Sequence, residues 1–132
     1  MSARIGTNVL DELTDFVRRR DHVSFAEIVR QLDERGVPVR GDQALCLAAD
    51  PNIILWAGMS EEFLGIMNAM LDERRIFPHP ASHLVYFMDG GWLSYPIARR
   101  LPKGGYKTPH WAPVCFRCTP YENQRSGKKA GT

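Results

Sequence analysis

The run from Asn52 to Arg100 constrains the fold more than any other part of the chain. Asn52 to Trp56 reads as an apolar strand and Ser60-Glu61-Glu62 as a capped helix start. Phe63, Ile66, Met67, Met70 and Leu71 then recur at helical spacing, ahead of the polar end Asp72-Glu73-Arg74-Arg75. A Met and Phe stripe at that spacing is a core face. The helix exits through Ile76-Phe77 into a second extended region. Leu84-Val85-Tyr86-Phe87-Met88 has the aromatic and β-branched content of a strand, and Asp89-Gly90 has the positive-φ chemistry of a type I′ turn. Trp92-Leu93-Ser94-Tyr95 returns, and Pro96 ends that strand or holds it to an edge. Residues 84–88 are therefore expected to pair antiparallel with residues 92–96.

Upstream, Thr7 is placed to cap a helix over residues 9–20, with Val9, Leu10, Leu13, Phe16 and Val17 on its apolar face. Arg18-Arg19-Arg20 fall in its last turn, where cations favour the helix dipole. Ser24-Phe25-Ala26-Glu27 has the form of a capping box, in which the hydroxyl accepts from the amide of residue 27 and the carboxylate accepts from the amide of residue 24. A helix over residues 25–35 follows, and Gly36 supplies its left-handed stop. Between Val37 and Trp56, Asp42 is positioned to cap a short helix over residues 43–49, and Asp50-Pro51 closes it. Leu10, Leu13, Ile28, Leu32, Trp56, Phe63, Met67, Met70 and either Tyr86 or Phe87 are expected to meet in one core.

Helix, short link, helix, helix and then a hairpin resembles the winged helix-turn-helix superfamily over about Thr7 to Arg100. The resemblance implies a mainly α domain with a small antiparallel β-ribbon, an α+β fold. It spans residues 1–118 with an extended C-terminal segment, and residues 119–132 follow as a disordered basic tail. A second register takes residues 25–35 as the first family helix, Val37-Pro38-Val39 as its first strand and residues 43–49 as its second helix. Both registers keep the same third helix and wing. The resemblance also implies nucleic-acid binding, with the third helix in the major groove. Yet the non-core positions of that helix are Glu61, Glu62, Gly65, Asn68, Ala69, Asp72 and Glu73. Four carboxylates repel a phosphate lattice, and Asn68 alone offers base-reading chemistry.

Charge divides the chain. Residues 1–75 carry 9 Arg and no Lys against 13 Asp and Glu, a balance of −4, whereas residues 76–132 carry 8 Lys and Arg against Asp89 and Glu122, a balance of +6. Such asymmetry points to a basic surface for an acidic partner, or to a solubilising tail. The basic strip is Arg99, Arg100, Lys103, Lys107 and Arg117, interleaved with Trp92, Tyr106, His110, Trp111 and Phe116. Cations spaced with aromatics suit a nucleic-acid backbone plus stacking on unpaired bases. The same residues would equally serve a loop that packs its rings on the domain and leaves its cations in water. The alternative partner is a protein docked on the acidic third helix.

Cys115-Phe116-Arg117-Cys118 is a single Cys-x-x-Cys. With His110, and Cys46, His79 or His83 as a fourth ligand, it has the donor types of a zinc site but lacks a second knuckle. Three cysteines are an odd count, so a disulfide framework is not expected. Pro80 breaks the helical spacing of His79 and His83. No Gly-rich phosphate loop, nucleophile elbow or apolar carboxylate pair is present, so the chain reads as non-enzymatic, without a cofactor. The apolar run Ile53–Met59 is far short of the roughly 20 residues of a membrane span. Met1 to Gly6 lacks a signal-peptide core, and the expected compartment is the cytoplasm.

Overall fold

The computed structural model describes residues 7–89, 91, 93–100 and 102–121. The side chains of Thr7 and Asp89 lie outside the described set, as do Gly90 of the expected turn, Trp92 of the basic strip and residues 122–132 of the expected tail. The described residues form a small α+β domain with α1 (Thr7–Arg20), β1 (Val23–Ser24), α2 (Phe25–Glu34), β2 (Arg40–Cys46), β3 (Ile53–Met59) and α3 (Glu61–Asp72). After these come β4 (Phe77–Pro80), α4 (His83–Asp89), β5 (His110–Trp111) and β6 (Val114–Arg117). One sheet has the strand order β1-β6-β4, all antiparallel. The other has the order β2-β3-β5, with β3 antiparallel to β2 and parallel to β5. No described helix is long and apolar enough to cross a membrane.

The first three long helices form where the spacing places them. The capping box at α2 is complete, with Ser24 Oγ accepting from Glu27 N at 3.2 Å and Glu27 Oε1 accepting from Ser24 N at 3.2 Å. Ser60 Oγ caps α3 by accepting from Phe63 N at 3.0 Å and donates to Pro38 O at 2.7 Å, which ties the helix start to the chain ahead of β2. All nine expected core residues, counting Tyr86 rather than Phe87, are buried in one cluster, while Phe87 is 70% exposed.

Two expectations fail. Residues 43–49 do not form a helix: Arg40–Cys46 is a strand paired with β3. Ile53–Met59 is an apolar segment that needs a ladder partner, and β2 supplies it. A Cβ on Gly41 would lie 2.6 Å from Met59 O, so glycine permits the close approach of the two chains there. Long-range pairing outweighs the local capping signal of Asp42.

Residues 84–88 do not form a strand either. They lie in α4, and described residues 93–96 are not in a strand, so the expected pairing of residues 84–88 with 92–96 is not formed among the described residues, and Gly90 of its turn lies outside them. The hairpin that does exist, β2–β3, precedes α3 rather than following it. Glycine serves as a helix stop as readily as a hairpin tip. Here Gly91 N donates to Tyr86 O at 3.0 Å, and a Cβ on Gly91 would lie 3.0 Å from Ala26 Cβ and 3.1 Å from the Trp56 ring. Ser82 Oγ opens the helix by accepting from Leu84 N at 3.1 Å.

Tyr86 is the anchor of α4. Its hydroxyl accepts from Phe25 N at 3.0 Å and donates to Val114 O. Its ring packs on Trp56 and Trp111, with centroids 5.3 and 5.1 Å away. Leu84, Phe87 and Met88 point outward, at 59, 70 and 84% exposure. In urea titrations, Tyr86→Phe should lower the free energy of unfolding by about 1–3 kcal/mol, because it strands a buried amide and a carbonyl. Met88→Ala should change it by less than about 0.5 kcal/mol. Equal losses would restore the strand, in which residues 86 and 88 share a face.

Candidate nucleic-acid interface

The basic strip folds into a loop closed at its base. Ile97 bridges Trp111, Trp111 N donates to Pro96 O at 2.7 Å, and Ala98 N donates to Trp111 O at 2.8 Å. β5 is in turn held parallel to β3. Inside the loop, Gly104 and Gly105 take φ of +77° and +81°, which a side chain would resist, and Gly105 N donates to Pro102 O at 3.0 Å. Asp50 reaches in from the β2–β3 turn and accepts from Tyr106 N at 2.8 Å, while Asn52 donates to Tyr106 O at 2.7 Å. The ends and the middle of the loop are thus pinned to the hairpin. Compact loops with bridged ends commonly carry function.

This loop presents Arg99, Arg100, Lys103 and Lys107, all exposed. None of the four makes an ion pair with a described residue. No Asp or Glu occurs from residue 90 to residue 121. Four exposed cations thus stand on one loop without an ion pair among the described residues.

The other sequence candidates fare differently. Arg117 is engaged by Asp21 through two bonds of 2.7 and 3.0 Å, so it belongs to a structural pair joining β6 to the α1–β1 turn. Tyr106 is not a free stacking platform: its ring lies on His110 at 3.8 Å, and its hydroxyl donates to Arg100 O at 2.5 Å. His110 holds Thr108 O through Nδ1 at 2.8 Å. Trp92 lies outside the described residues. On α3, Glu61, Asp72 and Glu73 are exposed and Glu62 is half-buried, and Asn68 is also exposed. The basic end of that helix is already used, with Arg75 bonded to Asp11 and Glu73 at 2.7 and 2.8 Å, and Arg74 over Phe77.

The zinc donors are dispersed. Cys115 is buried in β6, Cys118 Sγ faces Thr14 O at 3.7 Å, and His79 Nε2 bonds Thr119 O at 2.7 Å. Among the described residues no three His, Cys, Asp or Glu side chains gather as a metal site. No disulfide joins the three cysteines, and burial pushes the thiols of Cys46 and Cys118 up, toward the protonated form that neither ligates metal nor attacks well.

Two features escaped the sequence reading. One is the exposed apolar face of α4, whose Leu84, Phe87 and Met88 follow i, i+3, i+4 spacing behind a Ser82 cap. The other is a groove of about 720 Å³ between the β4–α4 turn and the start of the basic loop, with Arg99 and Arg100 in its lining. No local pattern announces the groove, because it joins segments distant in sequence.

The Asp21–Arg117 pair sets a pH dependence. The Arg117 guanidinium holds the Asp21 carboxyl below its ordinary value of about 4. The pair contributes at neutral pH and is lost as pH falls through that lowered value. Asp21 sits at φ 54°, a region asparagine tolerates, so Asp21→Asn removes charge with little strain. Wild type should be the more stable of the two at pH 7, by urea titration, and the difference should close below pH about 4. A difference that persists unchanged in acid would mean that charge is not its cause. The chain matches no family model, no curated protein and no solved structure.

Proposed function

We propose that this is a non-enzymatic cytoplasmic protein that binds nucleic acid through the loop of residues 97–111. The supporting observation is the set of four exposed cations, Arg99, Arg100, Lys103 and Lys107, unpaired among the described residues on a loop whose base is fixed. A positive surface of this kind releases counterions from a phosphate backbone, and its prior ordering reduces the entropy lost on binding. α3 is not the reading element in this proposal, since its exposed positions other than Asn68 are acidic. Cysteines that are not joined by a disulfide accord with a reducing compartment.

Four phosphate contacts should make log K fall against log salt with a slope of about −3, near 0.7 to 0.9 for each contact. Replacing Arg99, Arg100, Lys103 and Lys107 together by Ala should flatten that slope nearly to zero in electrophoretic shift or anisotropy titrations. Arg117→Ala should weaken folding more than binding, because that cation is already paired. A salt slope that survives the quadruple substitution would place the contact elsewhere. A protein docked on α3 is the second reading, and it rests on the exposed Glu61, Asp72 and Glu73. Its signature would be a complex lost with Glu61→Lys and Asp72→Lys but indifferent to the loop substitutions.

A further inference from the structure

The groove beside the basic loop has a different chemistry from the loop itself. Its walls are the Pro80–His83 turn and the Ile97–Arg100 segment, and its floor is made by Ile53, Ala112 and Val114. At about 720 Å³ it falls in the range of roughly 300–1,000 Å³ typical of small-molecule sites. Leu47 and Ile53 also line a second hollow of about 510 Å³, which runs beneath Pro102 and Gly105. The two hollows thus adjoin at Leu47 and Ile53, and together they make up one trough. Its far end contains Asp50, whose carboxylate is taken up by the amides of Tyr106 and Asn52 at 2.8 and 3.0 Å. Cations stand at one lip of the trough, where Arg99 and Arg100 are exposed. At the opposite wall α4 begins, with Leu84, Phe87 and Met88 exposed.

From this juxtaposition we infer that the ligand is single-stranded nucleic acid, with phosphates on Arg99 and Arg100 and unstacked bases in the apolar trough. The inference rests on the nucleic-acid reading and specifies its ligand. A duplex keeps its bases stacked inside and offers this trough nothing to fill it, while its phosphates need only the loop cations. A single strand can turn its bases away from the backbone, and their flat faces gain from apolar contact while the phosphates stay in solvent beside the arginines. Charge complementarity selects a polyanion, and the apolar residues Leu47, Ile53, Ile97 and Val114 beside Arg99 and Arg100 select one that carries removable planar groups. Sequence preference should be slight, since apolar contact with aliphatic side chains accepts the face of every base.

The test compares a fluorescent single strand of roughly a dozen nucleotides, within the site sizes of such proteins, with a hairpin duplex of equal charge. Wild type, Ala81→Phe and Ala98→Phe would be titrated by anisotropy, with circular dichroism to confirm folding. Both substitutions place a ring in the groove without removing a cation. Wild type should prefer the single strand by at least tenfold. At least one of the two folded variants should lose at least tenfold toward the single strand while binding the duplex as wild type does. The inference is overturned if duplex binds as tightly as single strand, or if neither filled groove changes single-strand affinity. It is also overturned if polyglutamate of equal charge competes as well as the strand. Absence of any nucleic-acid binding defeats the underlying reading as well, whereas duplex binding that depends on the four loop cations would leave that reading standing alone.

Discussion

The Tyr86 hydroxyl joins an amide 61 positions upstream, that of Phe25, to a carbonyl 28 positions downstream, that of Val114. Around this phenol the rings of Phe25, Trp56, Phe63, Trp111 and Phe116 close into one cluster, with Phe25 stacked on Trp56 at 5.4 Å and edge-on to Phe116 at 4.9 Å. Full burial of each large side chain contributes about 1.5–3 kcal/mol. The geometry matters as much as the area. Phe25 opens α2, Trp56 lies in β3, Tyr86 in α4, Trp111 in β5 and Phe116 in β6, so both sheets and two helices are referenced to the same point. The base of the basic loop inherits that rigidity through Trp111, which bridges Ile97 and is itself fully buried.

Electrostatics divides along the same line. Many carboxylates of the N-terminal half are used locally: Asp15 with Arg18, Glu27 with Arg20, Glu12 with Arg35, and Asp11 and Glu73 with Arg75. Exposed pairs of this kind contribute little to stability individually, but they neutralise the arginines nearby. Of the basic residues described in the second half, Arg117 is paired back to Asp21 of the first. The remaining four described cations sit on the loop. The described charges are thus sorted into a net acidic part that pairs many of its own arginines and a positive part, by where the acids fall in the chain. That sorting allows a weakly charged protein to attract a polyanion at one place.

Much was legible locally. The α2 capping box, the apolar stripes of α1 and α3 and the identity of the core follow from periodicity and side-chain chemistry that act within a few residues. The four loop cations and the absence of acids between residues 90 and 121 are also plain from the chain. The partners of Arg117 and Tyr106, Asp21 and His110, have no local signature because folding sets them. The strand expected over residues 84–88 failed for a related reason. β-branched and aromatic residues favour strands only where a ladder partner exists, and the described residues 93–96, in the expected partner segment, are not in a strand.

The sequence by itself determined the helices that carry their own caps and stripes, the residues that avoid water and the separation of charge. Tertiary structure decided which apolar segments pair. It placed the hairpin before α3, turned Leu84–Met88 into a helix with its apolar face outward, and brought Pro80–His83 beside Ile97–Arg100 to form the groove. The physical reason is range. Capping and amphipathic periodicity are satisfied within one turn or one face, whereas a strand acquires its ladder, and a groove its walls, only from residues distant in the chain.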